Sequence, residues 1–333
     1  MSLLHERLPQ CERLLQGTLR VVRVSVFSTD WDDFAARCGA SPYCARNYLR
    51  IYGLLYGLHL FEFVQHQDGV QTKIGQCAVV CGRRARRFFD GIQLLPGFDH
   101  YWNNAVAAVL QVVGPGRYHY GSGWRLETPR EKELDGLTGV SIDHIQRVVV
   151  EAVDFSRWAS WEEYSRSISN NARRNAKRAI NMHSDVTLVF RRGLWTMVSV
   201  PCLTWLRRLM LRRKGGEFSM LQGLSALVRP LVWQRCTVSA SVRVGKRTTA
   251  VFSGIEFGPN TYFIQGACRV PNNGTAWHMF LTLLRDAFER SPHGKFIMGA
   301  NNVADGPTRF QQECRTSAYL TSIVQFTYQN TPL

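Results

Sequence analysis

Three strand-like segments separated by two tight turns constrain the fold of this chain more than any other feature. The segments are Thr237–Val244, Arg247–Phe257 and Thr261–Ala267, and each is rich in β-branched or aromatic residues. The links between them, Gly245-Lys246 and Gly258-Pro259-Asn260, contain the residue types that hairpin turns favour. The sequence therefore predicts a three-stranded antiparallel meander in the second half of the chain.

Helical patterns lie on both sides of this meander. The segments before it are a helix from about Ser160 to Asn181, a strand at Val186–Arg191, and helices at Pro201–Arg213 and Phe218–Trp233. The segments after it are a helix at Thr275–Arg290, a strand at Lys295–Gly299, a helical turn at Pro307–Cys314 and a strand at Tyr319–Tyr328. Helices separated from an antiparallel run of strands are typical of an α+β fold.

The first half of the chain repeats this order in outline. Its predicted strands are Thr18–Phe27, Leu58–Gln65, Lys73–Cys81, Arg87–Leu94, Arg117–Tyr120 and Ile142–Val153. Its predicted helices are Trp31–Cys38, Ser41–Tyr52 and Asp99–Val112, and Glu127–Thr138 is predicted to be a loop. Since 333 residues suffice for two domains, we expect one domain over 1–153 and another over 154–333.

Positive charge is concentrated in the second half. The net charge is +16, of which residues 1–150 supply +3 and residues 151–333 supply +13. Within Arg166–Lys214 there are twelve basic residues and one acid, Asp185. So uneven a field attracts a polyanion, which favours a phosphate-rich ligand such as RNA. The alternative is a basic surface that serves solubility alone.

The cysteines and the apolar runs argue against a metal-binding, disulfide-bonded or membrane-spanning protein. The nine cysteines are dispersed, with no Cys-x-x-Cys motif, so we predict neither a metal site nor a disulfide framework. Apolar runs such as Ala105–Leu110 are far shorter than a membrane span. The first sixteen residues lack the order of a secretory signal. The expected location is the cytoplasm.

The segment Trp158–Ile180 is the sharpest candidate for a binding surface. On a continuous helix, Arg166, Asn170, Arg173 and Lys177 are spaced by four, three and four residues and share one face. Arg174 and Arg178 lie beside them, and acids are missing at the positions that would pair with these cations. The pattern favours contact with phosphate or RNA over a merely solvated face.

This segment also carries a family resemblance. The pattern SWEEY, SIS and ARRNAKRA followed by a strand resembles the opening of FemAB-like and BioF2-like acetyltransferase domains of the GNAT superfamily. The basic stretch LTWLRRLMLRRKGGEFS at 203–219 and the meander at 237–267 resemble the segments that follow in that family. The resemblance covers roughly residues 155–328, and the first half matches by element order and the segment SPYCARNYLRIYG.

The resemblance implies tandem GNAT-like domains, each a mixed, mostly antiparallel sheet flanked by helices. It implies that 154–333 binds the donor and that 1–153 lies on the acceptor side. Family members use acyl-CoA or aminoacyl-tRNA as co-substrate, without a tightly bound cofactor. We therefore expect an acyltransferase with tRNA as a partner and a small-molecule or peptide amine as acceptor.

A loop before the Thr275–Arg290 helix matches the family's pyrophosphate loop in part. Gly274, Thr275 and Ala276 supply the Gly-x-Ala end of that signature, whereas Pro271 replaces its Gln or Arg and Arg269 comes two residues too early. Glycine before a helix lets backbone N–H groups approach a phosphate. A turn glycine that caps the helix is the alternative. The full set of predicted donor-binding residues is Arg166, Arg173, Arg174, Lys177, Arg178, Arg212, Arg213, Lys214, Arg269, Gly274, Thr275 and Ala276.

Acyl transfer to an amine needs a proton acceptor and a polarised donor carbonyl. Glu256 is the only acid of the meander, and it is predicted to act as the base, or else to be an exposed residue before a turn. Tyr262 is predicted to hold the substrate or protonate the leaving group, with a core position as the alternative. His278 and Asn301 are candidate substrate contacts.

Two clusters in the first half are also candidates for a site. The four arginines Arg83, Arg84, Arg86 and Arg87 either extend a basic rim or protect an edge strand. Nearby aromatic residues either line an acceptor pocket or form the core; they are Tyr101, Trp102, Tyr118, Tyr120 and Trp124.

Three functions remain open on the sequence. The leading hypothesis is transfer of an aminoacyl group from aminoacyl-tRNA to an amine, because a long phosphate track suits the many cations of the second half. The first alternative is acyl-CoA-dependent transfer to a small-molecule amine. The second is a non-catalytic RNA-binding module on a degenerate GNAT scaffold.

Overall fold

The computed structural model describes residues 18–213, 215–270, 274–302 and 308–330, which fall into two compact units. Unit 1 extends to Gln146 and also includes the chain from Ser322 onward, and unit 2 is Arg147–Thr321. Residues after Ser322, which the sequence assigns to the second domain, group with unit 1 because Val324–Tyr328 pair with a strand of that unit. Each unit has its own hydrophobic core.

Unit 1 is built on an antiparallel sheet with one parallel pair. Its strands are β1 (Thr18–Val24), β2 (Gly57–Gln67), β3 (Val70–Cys81), β4 (Arg86–Leu94) and β5 (Gly116–Tyr120), with the first part of β6 (Val140–Asp154) and the last part of β12 (Ser317–Tyr328). The order β1-β2-β3-β4-β5-β12 is antiparallel except between β4 and β5. Its helices are α1 (Trp31–Arg37), α2 (Arg46–Leu55), α3 (Trp102–Val113) and α4 (Glu131–Asp135).

The larger core cluster of unit 1 lies between the sheet and α3, and a smaller one packs Trp31 and Leu49 against Leu60 and Val80. The apolar face of α3 buries Trp102, Val106 and Val109 against Phe61 and Phe88 of the sheet. The prediction of a loop over Glu127–Thr138 is wrong for part of the segment, because α4 lies within it and buries Leu134. The chain forms this short helix because burial of one leucine anchors an otherwise polar segment.

Unit 2 contains the predicted meander. Its strands are the rest of β6, then β7 (Val186–Arg192), β8 (Thr237–Val244), β9 (Arg247–Phe257), β10 (Asn260–Cys268), β11 (Lys295–Asn302) and the first part of β12. Its helices are α5 (Trp161–Ser167), α6 (Asn170–Met182), α7 (Val200–Arg213), α8 (Met220–Val232), α9 (Thr275–Arg290) and α10 (Arg309–Glu313). The strands β8, β9 and β10 pair in antiparallel register, so the meander is confirmed.

Both faces of this sheet are covered by helices. On one face, Phe280 and Leu284 of α9 pack against Ala250 and Phe252. On the other face, Leu203 and Leu206 of α7 pack against Val251 of β9. The α+β class with a mixed, mostly antiparallel sheet flanked by helices is therefore confirmed.

The predicted continuous helix from Ser160 to Asn181 is wrong, because it is broken into α5 and α6. Ile168 is extended and only 1% exposed, so its side chain enters the core instead of continuing the helix. Ser169 then accepts a hydrogen bond from Ala172 N at 3.1 Å and caps α6. Arg166 consequently lies on a different helix from Arg173 and Lys177. In the ranges that the structure describes, no helix is long and apolar enough to cross a membrane.

Candidate functional site

The basic helix α6 borders an open groove in unit 2. Its volume is about 770 Å³, and its lining alternates cations with amides. The lining residues are Ser165, Asn170, Arg173, Arg174, Asn175, Lys177, Arg178 and Asn181. The opposite side of α6 carries Ala172, Ala176 and Ala179, which are buried. The helix thus packs through small residues and presents its long cationic side chains to the groove. We call this groove the α6 groove.

The cations of the α6 groove have few protein partners. Within the described part of the chain, no acidic side chain forms an ion pair with Arg173, Arg174, Lys177 or Arg178. Arg173 donates to Asn170 Oδ1, yet its buried Nε has no hydrogen-bond partner among the same residues. Cations without counter-charges in an open groove attract an anion of extended shape.

The start of α9 lies directly against α6. Gly274 caps α9 with a φ of +80°, a conformation that L side chains rarely adopt. A Cβ at this position would lie 3.0 Å from Ala179 N and closer still to Asn175 O. The glycine is therefore required by the packing of the two helices. The first N–H groups of a helix have no partners within that helix and favour anions.

An opening between β10 and β11 lies in the same unit. Among the described residues, these parallel strands pair at Thr261–Phe296 and Tyr262–Ile297. Irregularities follow in both strands, between Phe263 and Gln265 and between Ile297 and Gly299. Beyond these irregularities, β10 continues to pair with β9, and β11 continues to pair with β6. The two strands therefore diverge towards the start of α9 and leave backbone edges that an extended ligand could pair with.

The other predicted donor-binding residues lie elsewhere in unit 2. Arg166 is exposed near the end of α5, and Arg212 and Arg213 are exposed in the last turn of α7. The Arg269 guanidinium lies 5.1 Å from the ring centroid of Trp205, in a cation–π contact. Lys214 lies outside the described residues. The structure thus brings Arg173, Arg174, Lys177 and Arg178 together in the α6 groove. The 274–276 segment packs against the α6 backbone at Asn175 and Ala179.

Glu256 belongs to a cluster of ion pairs at the far end of α9. Its carboxylate accepts from Arg192 Nη2 at 3.1 Å and lies 3.6 Å from Arg290 Nε. Arg192 also forms an ion pair with Asp286. Since Arg290 ends a helix of sixteen residues that Gly274 caps, Glu256 and the start of α9 are about 24 Å apart along the helix. The structure does not bring Glu256 to the groove, and its catalytic role stays a prediction.

Three further predicted residues lie near the opening or the start of α9. Tyr262 forms the last parallel pair before the strands diverge, and it is 1% exposed. His278 lies one turn into α9, and burial lowers the pKa of its imidazole. Asn301 Nδ2 donates to Gln311 Oε1 at 3.0 Å, which fixes this amide on β11.

Sequence reasoning missed Glu151. This residue of β6 is 1% exposed and pairs in register with Gly299, just beyond the irregularity of β11. Its Oε1 accepts no hydrogen bond from any residue that the structure describes. A buried carboxyl oxygen without a partner is costly, so it marks a candidate functional group. The signal was available, because Glu151 is the only acid within the apolar run Val148–Val153.

Unit 1 contains a second candidate site. Two adjoining cavities of about 390 and 360 Å³ share Arg87, Phe89 and His119. Tyr48 and Tyr52 border them with ring centroids 5.1 Å apart. The lining also includes Tyr43, Tyr56, Arg83, Arg84 and Trp124. We call this the unit 1 groove.

The structure separates the arginines and aromatic residues of unit 1 into two groups. Arg86 donates to Tyr118 Oη at 2.9 Å and to the Gly114 carbonyl, so it serves the fold. Four of the predicted aromatic residues are core residues, namely Tyr101, Trp102, Tyr118 and Tyr120. Burial, together with the charge of Arg87, lowers the pKa of His119. Trp124 alone of the five predicted aromatic residues lines the unit 1 groove.

Comparison with solved structures agrees with this architecture. FemX superposes with a TM-score of 0.65 over 93% of this chain and 97% of that chain, at 10% sequence identity. The chain has the fold of FemX. The FemAB-like fold that the sequence predicts is therefore confirmed.

Two other solved structures share the FemX fold with this chain. A conserved protein of unknown function from Bacteroides thetaiotaomicron VPI-5482 gives a TM-score of 0.56 at 8% identity, over 93% of this chain and all of that one (100%). L-PGS from Bacillus licheniformis gives 0.51 at 11% identity, over 92% of each chain. No family model and no curated protein sequence matches the chain. At these identities the likeness to FemX shows the fold alone.

No metal site accompanies these grooves in the described ranges, where no group of three or more His, Cys, Asp or Glu side chains could hold an ion.

Proposed function

We propose that this protein is an acyltransferase that moves an aminoacyl group from aminoacyl-tRNA to an amine. The observation that carries the proposal is the α6 groove, which is lined by four cations that form no ion pair with any residue the structure describes. An RNA phosphate track supplies the extended anion that such a groove fits. The FemX fold supports acyl transfer, because the FemAB-like resemblance in the sequence implies that chemistry.

The packing of Gly274 favours a tRNA donor over a CoA donor. In a pyrophosphate loop, the absent side chain of a glycine makes room for the ligand. At Gly274 that room is occupied by the α6 backbone. The glycine is thus accounted for by helix packing, and the cations of α6 remain as the main anion-binding groups.

A second candidate donor is acyl-CoA. The diverging edges of β10 and β11 favour it, since the amide groups of a CoA arm can pair with a free strand edge. The N–H groups at the start of α9 would then bind its phosphates. This donor makes less use of the four cations of the α6 groove.

The transfer step is a displacement at the ester carbonyl of the donor. The amine nitrogen attacks the carbonyl carbon, a C–N bond forms, and the ester C–O bond to the ribose breaks. One proton leaves the amine and one reaches the ribose oxygen. We place Glu151 before Glu256 as the proton acceptor, because Glu256 is held by Arg192 and Arg290 whereas Glu151 Oε1 has no described partner. Tyr262 is proposed to hold the leaving group.

We assign acceptor binding to unit 1 and test it at the unit 1 groove. Its arginines and rings suit an acceptor with an anionic and a planar part. Arg84→Glu is expected to raise KM for the acceptor with little change in affinity for the donor. An unchanged acceptor KM would remove this groove from the reaction.

A cytoplasmic location follows from an aminoacyl-tRNA donor. All eight cysteines that the structure describes are free thiols, which agrees with a reducing compartment.

The deciding experiment offers the purified protein each donor separately. Aminoacyl-tRNA and acetyl-CoA are incubated with amine mixtures, and ester deacylation or thiol release is followed. We expect amine-dependent deacylation of tRNA that ribonuclease abolishes. Release from CoA alone, insensitive to ribonuclease, would contradict the tRNA donor. RNA binding with no turnover of either donor would make the protein a binding module.

A pair of matched variants links the activity to the α6 groove. Arg173→Glu with Lys177→Glu reverses two groove charges and is expected to abolish donor binding. Lys246→Glu with Arg247→Glu makes the same change of net charge at an exposed hairpin of unit 2. If both pairs weaken donor binding equally, the effect is one of net charge and the groove is not the site.

A further inference from the structure

The helix α8 of unit 2 exposes an apolar face. Leu224, Leu227, Val228 and Leu231 are 58%, 46%, 39% and 50% exposed. Their spacing of three, four and seven residues from Leu224 places them on one side of the helix. The other side of α8 faces the protein, with Ala226 only 4% exposed. A stripe of this kind is normally buried against a partner.

A neighbouring segment adds aromatic and aliphatic area. The 3₁₀-helix Gly193–Ser199 contacts α8. It exposes Trp195 by 75%, and Leu194 and Val198 by half or more. Together the seven side chains form what we call the apolar surface: Leu194, Trp195, Val198, Leu224, Leu227, Val228 and Leu231. Exposed apolar area on this scale marks an interaction site.

The segment of chain that carries the apolar surface is rich in positive charge. From Gly193 to Arg235 the chain contains seven basic residues and one acid, Glu217. α7 contacts both α8 and the 3₁₀-helix, and it ends in the exposed Arg212 and Arg213. Among the described residues, no acid forms an ion pair with these two arginines. This charge favours a partner of negative charge.

We propose that the apolar surface binds the face of an anionic lipid membrane. Tryptophan and leucine on one side with arginines beside them are typical of helices that lie in the membrane interface. Anionic headgroups would neutralise the arginines, and the acyl boundary would accept the aliphatic side chains. At thirteen residues, α8 is too short to span a bilayer, so the association is peripheral.

A second copy of the chain is the competing occupant, and charge disfavours it. Self-association through this face would bring two sets of arginines together with one acid each to offset them. Like charges across an interface oppose binding. A membrane with a negative surface potential would instead attract the arginines.

The test uses the full chain and sedimentation with vesicles. One vesicle type is an equal mixture of phosphatidylglycerol and phosphatidylcholine, and the other is phosphatidylcholine alone. The test variant is Leu227→Ser with Leu231→Ser. The control is Leu54→Ser with Leu55→Ser, which makes the same two substitutions at residues of unit 1 that are 86% and 70% exposed. Circular dichroism and thermal unfolding check the folding of each variant.

We expect the wild type and the control to sediment with the phosphatidylglycerol vesicles and much less with phosphatidylcholine. The test variant is expected to bind these vesicles at least about tenfold more weakly, because each serine buries much less apolar area in the membrane than the leucine it replaces. Trp195→Ala, a smaller change, is expected to weaken binding if the double variant misfolds. The proposal is overturned by absence of binding to anionic vesicles or by equal binding of the test variant. A solution dimer that the test variant dissociates would assign the face to a second copy. Because vesicle binding is measured without donor or acceptor, it does not depend on the proposed function.

Discussion

Salt dependence of tRNA binding gives a quantitative test of the α6 groove. We consider Arg173→Gln with Lys177→Gln, which removes two of the four groove cations without adding acids. Each neutralised phosphate contributes about −0.9 to the slope of log K against log salt on a duplex. Four contacts therefore give a slope of about −3.6, and two give about −1.8.

These slopes correspond to large differences in affinity. Between about 50 and 200 mM salt, four contacts lower the affinity roughly 150-fold and two contacts roughly twelvefold. Fluorescence anisotropy of labelled tRNA at five salt concentrations measures both slopes. Lys246→Gln with Arg247→Gln is the matched control and is expected to keep the wild-type slope, since these residues lie on an exposed hairpin. A double variant of the groove with an unchanged slope would refute the assignment of α6 to the phosphate contacts.

Three other substitutions in unit 2 give further predictions. Gly274→Ala is expected to lower the free energy of unfolding by about 2–5 kcal/mol, because alanine is strained at a positive φ and its Cβ would clash with Asn175 O. Urea unfolding measures this change, and an unchanged midpoint would contradict the close packing of α6 and α9. Burial opposes ionisation of Asp154, but hydrogen bonds from Lys295 and Tyr319 outweigh it and lower the pKa to about 2. The stabilisation by this carboxylate is therefore present above pH 4 and lost as the pH falls towards 2, so Asp154→Asn should lower Tm at pH 7 and match the wild type near pH 2. Glu151→Gln is expected to lower kcat for acyl transfer about 100-fold or more while tRNA affinity is kept; full activity would exclude it as the proton acceptor.

Local patterns were sufficient to predict the meander and α9. Glycine turns and alternating residues fix the three strands through contacts between sequence neighbours, and the observed α9, Thr275–Arg290, has the predicted bounds. The break between α5 and α6 was not predicted, because it depends on a core position for Ile168 that only the rest of unit 2 provides.

The candidate site was predictable in its charges but not in its partners. The cations of α6 are visible in the sequence as a run without acids. The ion pairs of Glu256 are not, since Arg192 and Arg290 lie 64 residues before it and 34 after it in the chain. The contact of Gly274 with Asn175 likewise joins segments almost a hundred residues apart. Such pairings are decided by the tertiary fold.

The pairing of β12 with β5 has a consequence for synthesis of the protein. Tyr118 and Tyr120 of β5 pair with Phe326 and Val324, and both of these are core residues of unit 1. During translation, the first 146 residues emerge long before the strand that completes their sheet. Until then the β5 edge carries unpaired backbone groups, which are prone to aggregation or to chaperone capture. Emergence of β12, rather than emergence of the N-terminal half, therefore sets the earliest moment at which unit 1 can finish folding.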